Sequence, residues 1–183
     1  VYQEGLRLPP VRLFDRGRLN REVLDIILHN VRAPEERQGD VIAQATSLHL
    51  GAERLTRLLD RYGEEVVFGA VAEMKVRSER LMRSHLETIP DGTYTFEDHM
   101  DSDGVEWAPL AIRLRMEVEG SDVRVDLSES SPPCRGPLNS VLSTTVAGVY
   151  IAFKHIFPDV PINAGCFKPF SFHIPPTTFL NAQ

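Results

Sequence analysis

The polar residues best suited to bind a small ligand fall in two loops rich in proline and glycine. The first loop runs from Ser131 to Ser140 and the second from Pro158 to Pro169. An arginine or lysine can pair with a carboxylate or phosphate, and an asparagine can hydrogen-bond an amide. Each also has a structural explanation as a helix cap, a turn residue or a solvated surface cation. The candidate substrate contacts are Arg135, Asn139, Ser140, Asn163 and Lys168.

The first loop leads into a predicted helix whose apolar residues recur at helical spacing. Asn139 or Ser140 is the predicted N-cap of this helix. The free N–H groups at its N-terminus could hold an anion or a carboxylate. The alternative is that the cap only begins a buried helix. The apolar stripe consists of Leu142, Val146, Val149, Tyr150, Phe153 and Ile156.

The rest of the chain offers little for catalysis or metal binding. Cys134 and Cys166 are too few for a disulfide framework or a metal site, and we expect reduced thiols in a cytoplasmic protein. Asp101–Gly104 lacks the third acidic ligand and the closing glutamate of a calcium loop, so a plain turn is predicted. His49 and His85 lie on predicted helices and are expected to be structural or solvated rather than catalytic. No catalytic residue and no metal ligand is predicted.

Helices are predicted to dominate the first half of the chain. After an initial loop, Asn20 is predicted to cap a first helix. Pro34 and two glutamates begin a second helix, which Gly63 ends, and a third helix runs to about Ile89. Residues 1–92 are therefore predicted to form a helical hairpin or bundle. Its apolar stripe either packs on the rest of the protein or serves as an arm that holds another subunit.

Alternating hydrophobic residues replace the helical pattern in the second half. Residues 93–128 are predicted to form a three-stranded antiparallel meander, since apolar and polar residues alternate strictly over Leu110–Glu119. A last strand begins near Phe170. The predicted fold is α+β, with helices in 1–92 and, in 93–183, an antiparallel sheet with a capped buried helix in a loop–helix–strand unit. Both segments are expected to belong to one larger domain that is truncated at both ends.

Composition excludes several classes of protein. The chain has 183 residues, a net charge of −6 and a hydrophobic fraction of 42%. The negative charge argues against non-specific binding to nucleic acid. No apolar run approaches the ~20 residues that cross a bilayer, and the first residues do not resemble a signal peptide. We therefore expect a globular protein that binds neither nucleic acid nor membrane.

Six stretches in a fixed order form a distinctive pattern. On these stretches the chain resembles the hydantoinase B family, which includes the B halves of 5-oxoprolinases and N-methylhydantoinases. Related subunits occur in acetone and acetophenone carboxylases. One departure is Glu129, which stands where the family usually has a glycine. The stretches are Tyr2–Val11, Val31–Asp40, Pro90–Tyr94, Asp126–Ser131, Gly136–Ser140 and Pro158–Pro169.

The resemblance implies an enzyme that uses ATP to open a cyclic amide such as a hydantoin or 5-oxoproline. A hydantoinase A-type partner subunit or domain would use the ATP to activate the substrate carbonyl, within an oligomer. The full-length B-type subunit would hold a divalent metal through motifs that lie before the position aligned with Val1. No cofactor is therefore expected in this chain, and the piece by itself is expected to be inactive.

Two alternatives to the cyclic-amide hydrolase stay open. The chain could be a segment of an ATP-dependent ketone carboxylase, a class that the same family resemblance includes. In isolation it could instead be a non-catalytic scaffold that interacts with other subunits.

Overall fold

The computed structural model describes residues 8–182, so the beginning of the Tyr2–Val11 stretch lies outside the described residues. The chain divides into two compact units, one ending at Val67 and the other beginning at Phe68. The boundary predicted at residue 92 separated two parts of one larger domain, and it stays a prediction. No helix among the described residues is long and apolar enough to cross a membrane.

The first unit begins with a short hairpin that the sequence did not predict. Strand β1 (Phe14–Asp15) pairs with β2 (Arg18–Leu19), and the turn between them places Arg16 and Gly17 at positive φ. Helix α1 (Arg21–Leu28) follows, and the Oδ1 atom of Asn20 accepts a 3.4 Å hydrogen bond from the Val23 N–H. The predicted N-cap of the first helix is therefore confirmed.

Two long helices follow, with the ends that proline and glycine predicted. Helix α2 (Pro34–Tyr62) begins at a proline, and Gly63 ends it at a φ of 81°. Helix α3 (Glu64–Leu86) is three residues shorter than predicted, because Ile89 instead closes a turn onto the Leu86 carbonyl. The three predicted helices are thus present, and the hairpin arrangement of the second and third stays a prediction.

The second unit contains a four-stranded sheet in the order β3-β4-β5-β6. Strands β3 (Gly92–Met100), β4 (Leu110–Glu119) and β5 (Asp122–Asp126) form the predicted antiparallel meander. Strand β6 (Phe170–His173) pairs parallel to β5, so the prediction of a wholly antiparallel sheet was wrong. The reason is the connection, because a helix between two neighbouring strands brings the chain back in the same direction.

Helix α4 (Leu142–Ile156) makes that connection, and two predictions about it were wrong. Its N-cap position is Val141, which supplies no side-chain hydrogen bond, so neither Asn139 nor Ser140 caps the helix. Within the described residues Phe153 is the one buried residue of α4. The helix is therefore half-buried, because one narrow side of it meets the core.

One cluster of buried side chains joins the sheet, α3 and α4. Met82 and Leu86 enter it from α3, Val123 and Val125 from β5, and Phe153 from α4. Met82 and Leu86 are 0% exposed, so apolar burial fixes α3 against the sheet. The predicted α+β fold is confirmed, and this core holds the elements from which both candidate loops extend.

Candidate functional site

The first loop is closed by the side chain of Asn139. Its Oδ1 accepts a 2.9 Å hydrogen bond from the Cys134 N–H, and its Nδ2 donates to the Cys134 carbonyl at 2.6 Å. Both ends of the amide are therefore used inside the loop. This pairing explains why Asn139 is not the N-cap of α4, and a substrate amide would have to compete with it.

A buried carboxylate that sequence analysis missed anchors the same loop. Asp103 is 3% exposed and accepts hydrogen bonds from the N–H groups of Val105 at 2.8 Å, Glu106 at 2.6 Å and Gly136 at 2.7 Å. The hydrogen bonds from Glu106 and Val105 contribute most to lowering the pKa of Asp103 below its ordinary value. The plain turn predicted at Asp101–Gly104 is therefore the anchor of the first loop.

Gly136 lets this anchor form. A Cβ atom at Gly136 would lie 1.9 Å from the Asp103 carbonyl oxygen, a distance that no side chain tolerates. The sequence signal was the Gly136–Pro137 pair opposite an aspartate-rich turn, but nothing in the sequence indicated that the two segments touch.

Arg135 and Ser140 lie on either side of this closed loop. The Arg135 side chain is 74% exposed, and its Nη1 lies 3.1 Å from Glu106 Oε1. The backbone of Ser140 is held in place, since its N–H donates to the Phe179 carbonyl at 2.7 Å. The Ser140 hydroxyl lies 3.1 Å from Thr145 Oγ1, in the first turn of α4. Arg135 is thus open to solvent, whereas Ser140 belongs to a packed junction.

The second loop docks on α3 through Asn163 and Gly165. Asn163 Nδ2 donates a 2.7 Å hydrogen bond to Ser78 Oγ, and its Oδ1 accepts from the Gly165 N–H at 2.8 Å. Ser78 is 1% exposed. A Cβ atom at Gly165 would lie 1.9 Å from the Lys75 carbonyl oxygen. The predicted tight corner is present, and it holds the loop against the helix backbone.

Lys168 extends the contact between this loop and α3. Its Nζ lies 2.7 Å from Glu79 Oε2, and Arg83 bonds the other oxygen of Glu79 at 3.1 Å. The hydrogen bonds from Lys168 and Arg83 lower the pKa of Glu79. The Lys168 side chain is 55% exposed. It therefore has a structural partner while part of its surface stays open to an anion.

Two further contacts tie the second loop to its helices. Lys154 donates to the carbonyl groups of Phe157 at 2.9 Å, Pro158 at 3.3 Å and Val160, so an ammonium group closes the C-terminus of α4. His85 stacks on Phe157 at 4.8 Å. The structural role expected for His85 agrees with this contact.

The Asp126–Ser131 stretch continues the sheet beyond β5. The N–H of Ala111 donates to Ser131 Oγ at 2.8 Å, and the N–H of Arg113 donates to Ser130 Oγ at 3.0 Å. Serine hydroxyls thus satisfy backbone donors of β4 where the neighbouring strand has ended. This explains the two serines as structural residues.

A polar cavity of about 310 Å³ lies beside this stretch. Arg113 donates to Glu97 at 2.7 Å and to the Glu129 carbonyl at 3.0 Å, and His99 lies 3.0 Å from Glu97. The Arg113 hydrogen bond lowers the pKa of Glu97. Sequence analysis missed this charged group, which the alternation of β4 places on the face opposite the core. The lining residues are Thr95, Phe96, Glu97, Arg113, Leu114, Arg115, Asp126, Ser128 and Glu129.

A second cavity, of about 550 Å³ and mainly apolar, lies along α4. Tyr150 stacks on Phe167 at 3.9 Å at its wall, and burial raises the pKa of the Tyr150 phenol. The five candidate residues line neither this cavity nor the polar one. The structure therefore groups Arg135, Asn139 and Ser140 in the first loop, and Asn163 and Lys168 in the second, without a shared cavity among the two described above.

The family resemblance implies a divalent metal, which requires a set of donor side chains. Among residues 8–182, no three His, Cys, Asp or Glu side chains are grouped so that they could hold a metal ion. Two thiols are present, of which Cys166 is buried and Cys134 half-buried. The described residues therefore do not fit such a metal centre, and no reaction step through a metal is assigned to them.

Comparisons with known proteins place these features in a family. The B-type subunit of a "Putative D-/L-hydantoinase" from Pseudomonas sp. (strain NS671) is 34% identical over 99% of this chain and 33% of its own length. The beta subunit of the caprolactamase from Pseudomonas jessenii is also 34% identical, over all of this chain and 32% of its own length. The acetophenone carboxylase delta subunit of Aromatoleum aromaticum is 28% identical, over 98% of this chain and 27% of its own length.

A solved structure confirms the same relationship. The crystal structure of the ATP-dependent caprolactamase from Pseudomonas jessenii superposes on the whole chain with a TM-score of 0.85, and the match covers 32% of that structure's chain. This chain thus spans about a third of the length of these relatives. The Hydantoinase B/oxoprolinase family profile matches residues 1–183. The chain therefore belongs to the Hydantoinase B/oxoprolinase family.

Proposed function

We propose that this chain is a segment of the B-type subunit of an ATP-dependent hydrolase that opens cyclic amides. The observation that carries this proposal is the 34% identity, over essentially the whole chain, to two proteins named for a hydantoinase and a caprolactamase. Hydantoin and caprolactam are both cyclic amides. The solved caprolactamase is described as ATP-dependent, which supports the use of ATP here.

The chemistry explains why such an enzyme would need ATP. An amide carbonyl is a poor electrophile until charge is withdrawn from its oxygen. In the proposed reaction, an A-type partner activates the carbonyl with ATP and the B-type subunit completes ring opening. For a lactam or 5-oxoproline, the balanced result is one cyclic amide, one ATP and two waters converted to an amino acid, ADP and phosphate, since ring opening and ATP cleavage each consume one water. A hydantoin gives the N-carbamoyl amino acid with the same balance. We place the enzyme in the cytoplasm, as an oligomer, with its divalent metal held outside the residues described here.

The described residues would contribute by holding two loops in fixed positions beside the reaction centre of the complete enzyme. Asp103 and Gly136 fix the first loop, and Asn163 and Gly165 fix the second. All five predicted contacts remain proposals for substrate binding. Arg135 is the strongest of them, because its guanidinium is 74% exposed and could pair with a carboxylate formed by ring opening.

The experiment that tests the function produces the full-length B-type subunit together with its A-type partner. ATP cleavage is measured with 5-oxoproline, with hydantoins, with a lactam and with small ketones in bicarbonate. We expect a cyclic amide to stimulate ATP cleavage and to yield its ring-opened acid in an amount equal to the ATP cleaved. If none of the cyclic amides does so, the hydrolase proposal fails while the family membership stands.

A ketone carboxylase is the second candidate function. The 28% identity to the acetophenone carboxylase delta subunit favours it, over almost the same span of the chain. The same assay separates the two candidates, because a carboxylase would cleave ATP with a ketone and bicarbonate and would incorporate labelled bicarbonate into an acid. The higher identity to the two amide-directed relatives ranks the hydrolase first.

A scaffold role for this chain in isolation is compatible with either enzyme. Asn139, Asn163 and Lys168 all have partners inside the chain, which is the observation that supports it. Titration of the 183-residue chain with ATP and with divalent metals tests this role. Tight and specific binding of either ligand would exclude a purely structural segment.

A further inference from the structure

The buried carboxylate of Asp103 holds the backbone on both sides of an exposed ion pair. Its Oδ1 accepts hydrogen bonds from the N–H groups of Val105 at 2.8 Å and Glu106 at 2.6 Å. Its Oδ2 accepts from the N–H of Gly136 at 2.7 Å. Arg135 precedes Gly136, and its Nη1 lies 3.1 Å from Glu106 Oε1. The partners of this ion pair are 29 residues apart in sequence, yet one side chain holds the backbone of both segments.

Burial makes this attachment to Asp103 rigid. Asp103 is 3% exposed, and a Cβ atom at Gly136 would lie 1.9 Å from the Asp103 carbonyl oxygen. A buried carboxylate that lost its hydrogen bonds would be left charged and without partners, which is strongly unfavourable. The backbone positions from which the side chains of Arg135 and Glu106 extend are therefore fixed relative to each other.

The ion pair leaves one edge of the Arg135 guanidinium open. Glu106 accepts from Nη1, whereas Nε and Nη2 have no hydrogen-bond partner among residues 8–182. These two nitrogens can donate in parallel to both oxygens of a carboxylate. A long side chain that moves freely in solution loses rotamer freedom when it binds a ligand. Because Glu106 already restricts Arg135, less of that freedom remains to be lost.

We propose that Glu106 is a positioning residue, which holds the guanidinium of Arg135 so that Nε and Nη2 face a carboxylate of the ligand. This inference rests on the proposed function, because the carboxylate is the one formed when a cyclic amide opens. Asp103 contributes indirectly by fixing the backbone of both segments. Glu106 acts through Arg135 and makes no contact with the ligand itself.

The negative charge of Glu106 opposes the binding of a carboxylate, but solvent weakens that repulsion. The side chains are exposed, 74% for Arg135 and 53% for Glu106, so water and salt screen their longer-range interactions. The hydrogen bond between them acts directly on the guanidinium. Glu106→Gln separates the two effects, because glutamine keeps an acceptor oxygen and removes the charge.

The first test measures the mobility of Arg135 and needs no enzyme activity. In the ¹⁵N-labelled 183-residue chain, the NMR order parameter of the Arg135 Nε–H bond is compared between the wild type and two variants. It should fall in Glu106→Ala and stay near the wild-type value in Glu106→Gln. Arg77 is the matched reference, since it pairs with Glu73 at 73% and 54% exposure, and its order parameter should not change. An Arg135 that is equally ordered in Glu106→Ala and the wild type would overturn the proposal.

The second test determines whether Glu106 acts through Arg135 in catalysis. In the full-length complex, kcat/KM for ATP cleavage is measured with 5-oxoproline, hydantoin and caprolactam. Glu106→Ala should lower kcat/KM about 3-fold, and Glu106→Gln should keep it within about 2-fold. In an Arg135→Ala background, Glu106→Ala should have no further effect, because the residue through which it acts is gone. Glu73→Ala, which removes the carboxylate of the matched pair, should leave kcat/KM unchanged.

The kinetic outcomes separate positioning from other roles of Glu106. A Glu106→Ala enzyme that is as active as the wild type, or more active, would overturn the proposal, and higher activity would show that Glu106 competes with the ligand. Equal losses with and without Arg135 would also overturn it, because the effect would then be independent of the guanidinium. If no cyclic amide stimulates ATP cleavage by the wild-type complex, the hydrolase proposal fails, and the mobility of Arg135 still decides whether Glu106 positions it.

Discussion

Both candidate loops pack a glycine tightly against another segment, but the side chains that hold the two loops in place differ in chemistry. In each loop a glycine lies so close to another segment that a Cβ atom would be 1.9 Å from a backbone carbonyl oxygen. Gly136 approaches Asp103 in the first loop, and Gly165 approaches Lys75 of α3 in the second. The first loop is then held by a buried carboxylate, and the second by a neutral amide–hydroxyl pair.

The difference predicts how each loop responds to its surroundings. A carboxylate that accepts several N–H groups is a strong anchor while it is ionised, and it weakens when it takes up a proton. The Asn163–Ser78 pair has no proton to gain or lose in the same range. The Asp103 anchor of the first loop is therefore expected to be sensitive to acid, whereas the Asn163–Ser78 anchor of the second loop is not.

The largest expected effect comes from adding one methyl group to each glycine. Gly136→Ala and Gly165→Ala should each lower the free energy of unfolding by roughly 3 kcal/mol, because the atom in the way is backbone and cannot move alone. Urea denaturation of the chain measures this. Gly148→Ala is the matched control, since it lies inside α4 with nothing within 4 Å and should stabilise the chain by about 0.5–1 kcal/mol. A tolerated alanine at either loop glycine would contradict the close approach.

The second prediction concerns Asp103 and separates the two loops by pH. Asp103→Asn should lower the free energy of unfolding at pH 7. Both carboxylate oxygens accept backbone N–H groups, and the NH₂ group of an asparagine would place a second donor against one of them. The pKa of Asp103 is lowered in the folded chain, so its contribution is complete above the ordinary aspartate value of about 3.9. That contribution disappears as the pH falls through the lowered pKa.

Thermal unfolding measured from pH 7 to pH 2 tests this sign. The difference in unfolding temperature between the wild type and Asp103→Asn should be constant down to about pH 4 and should then shrink. Asp101→Asn, at an exposed position in the same turn, serves as the control and should follow the wild type throughout. A difference in unfolding temperature that widens in acid would show that Asp103 is not the anchor of the first loop.

The two loops also show which structural features could be predicted from the sequence and which could not. Hydrophobic period and capping residues predicted the helices and the meander, because those signals act within a few residues. The Asp103–Gly136 and Ser78–Asn163 contacts join positions 33 and 85 residues apart, so no local pattern reveals them. The strand that begins at Phe170 was predicted, but its parallel pairing with β5 was not, since its direction depends on where α4 packs.

The candidate site illustrates the same limit in chemical terms. The sequence correctly marked both loops as unusual, from their proline, glycine and asparagine content. It could not show that the Asn139 side-chain amide hydrogen-bonds the backbone of Cys134 or that Lys168 forms an ion pair with Glu79. Residue type indicates which bonds a side chain can form, and the fold decides which of them are already taken.

The third prediction removes the neutral anchor of the second loop. Ser78→Ala should lower the free energy of unfolding by about 1 kcal/mol, because Asn163 Nδ2 would lose its partner at a buried position. The loss should be the same at pH 5 and pH 8. Ser84→Ala, at an exposed position on the same helix, should change stability by less than about 0.5 kcal/mol. Equal losses for the two variants would show that the Ser78 contact contributes nothing specific.

The smallest effect on stability, and the sharpest test of function, comes from the cation in each loop. Arg135 is 74% exposed and its partner Glu106 is also exposed, so Arg135→Ala should leave the free energy of unfolding unchanged. Lys168 ties its loop to Glu79, so Lys168→Ala should lower the unfolding temperature slightly.

In the full-length complex, Arg135→Ala should reduce kcat/KM about 10-fold, the loss of one charge-assisted contact. Arg135→Lys should recover part of that activity. If Arg135→Ala turns over like the wild type while Lys168→Ala does not, the substrate lies against the second loop.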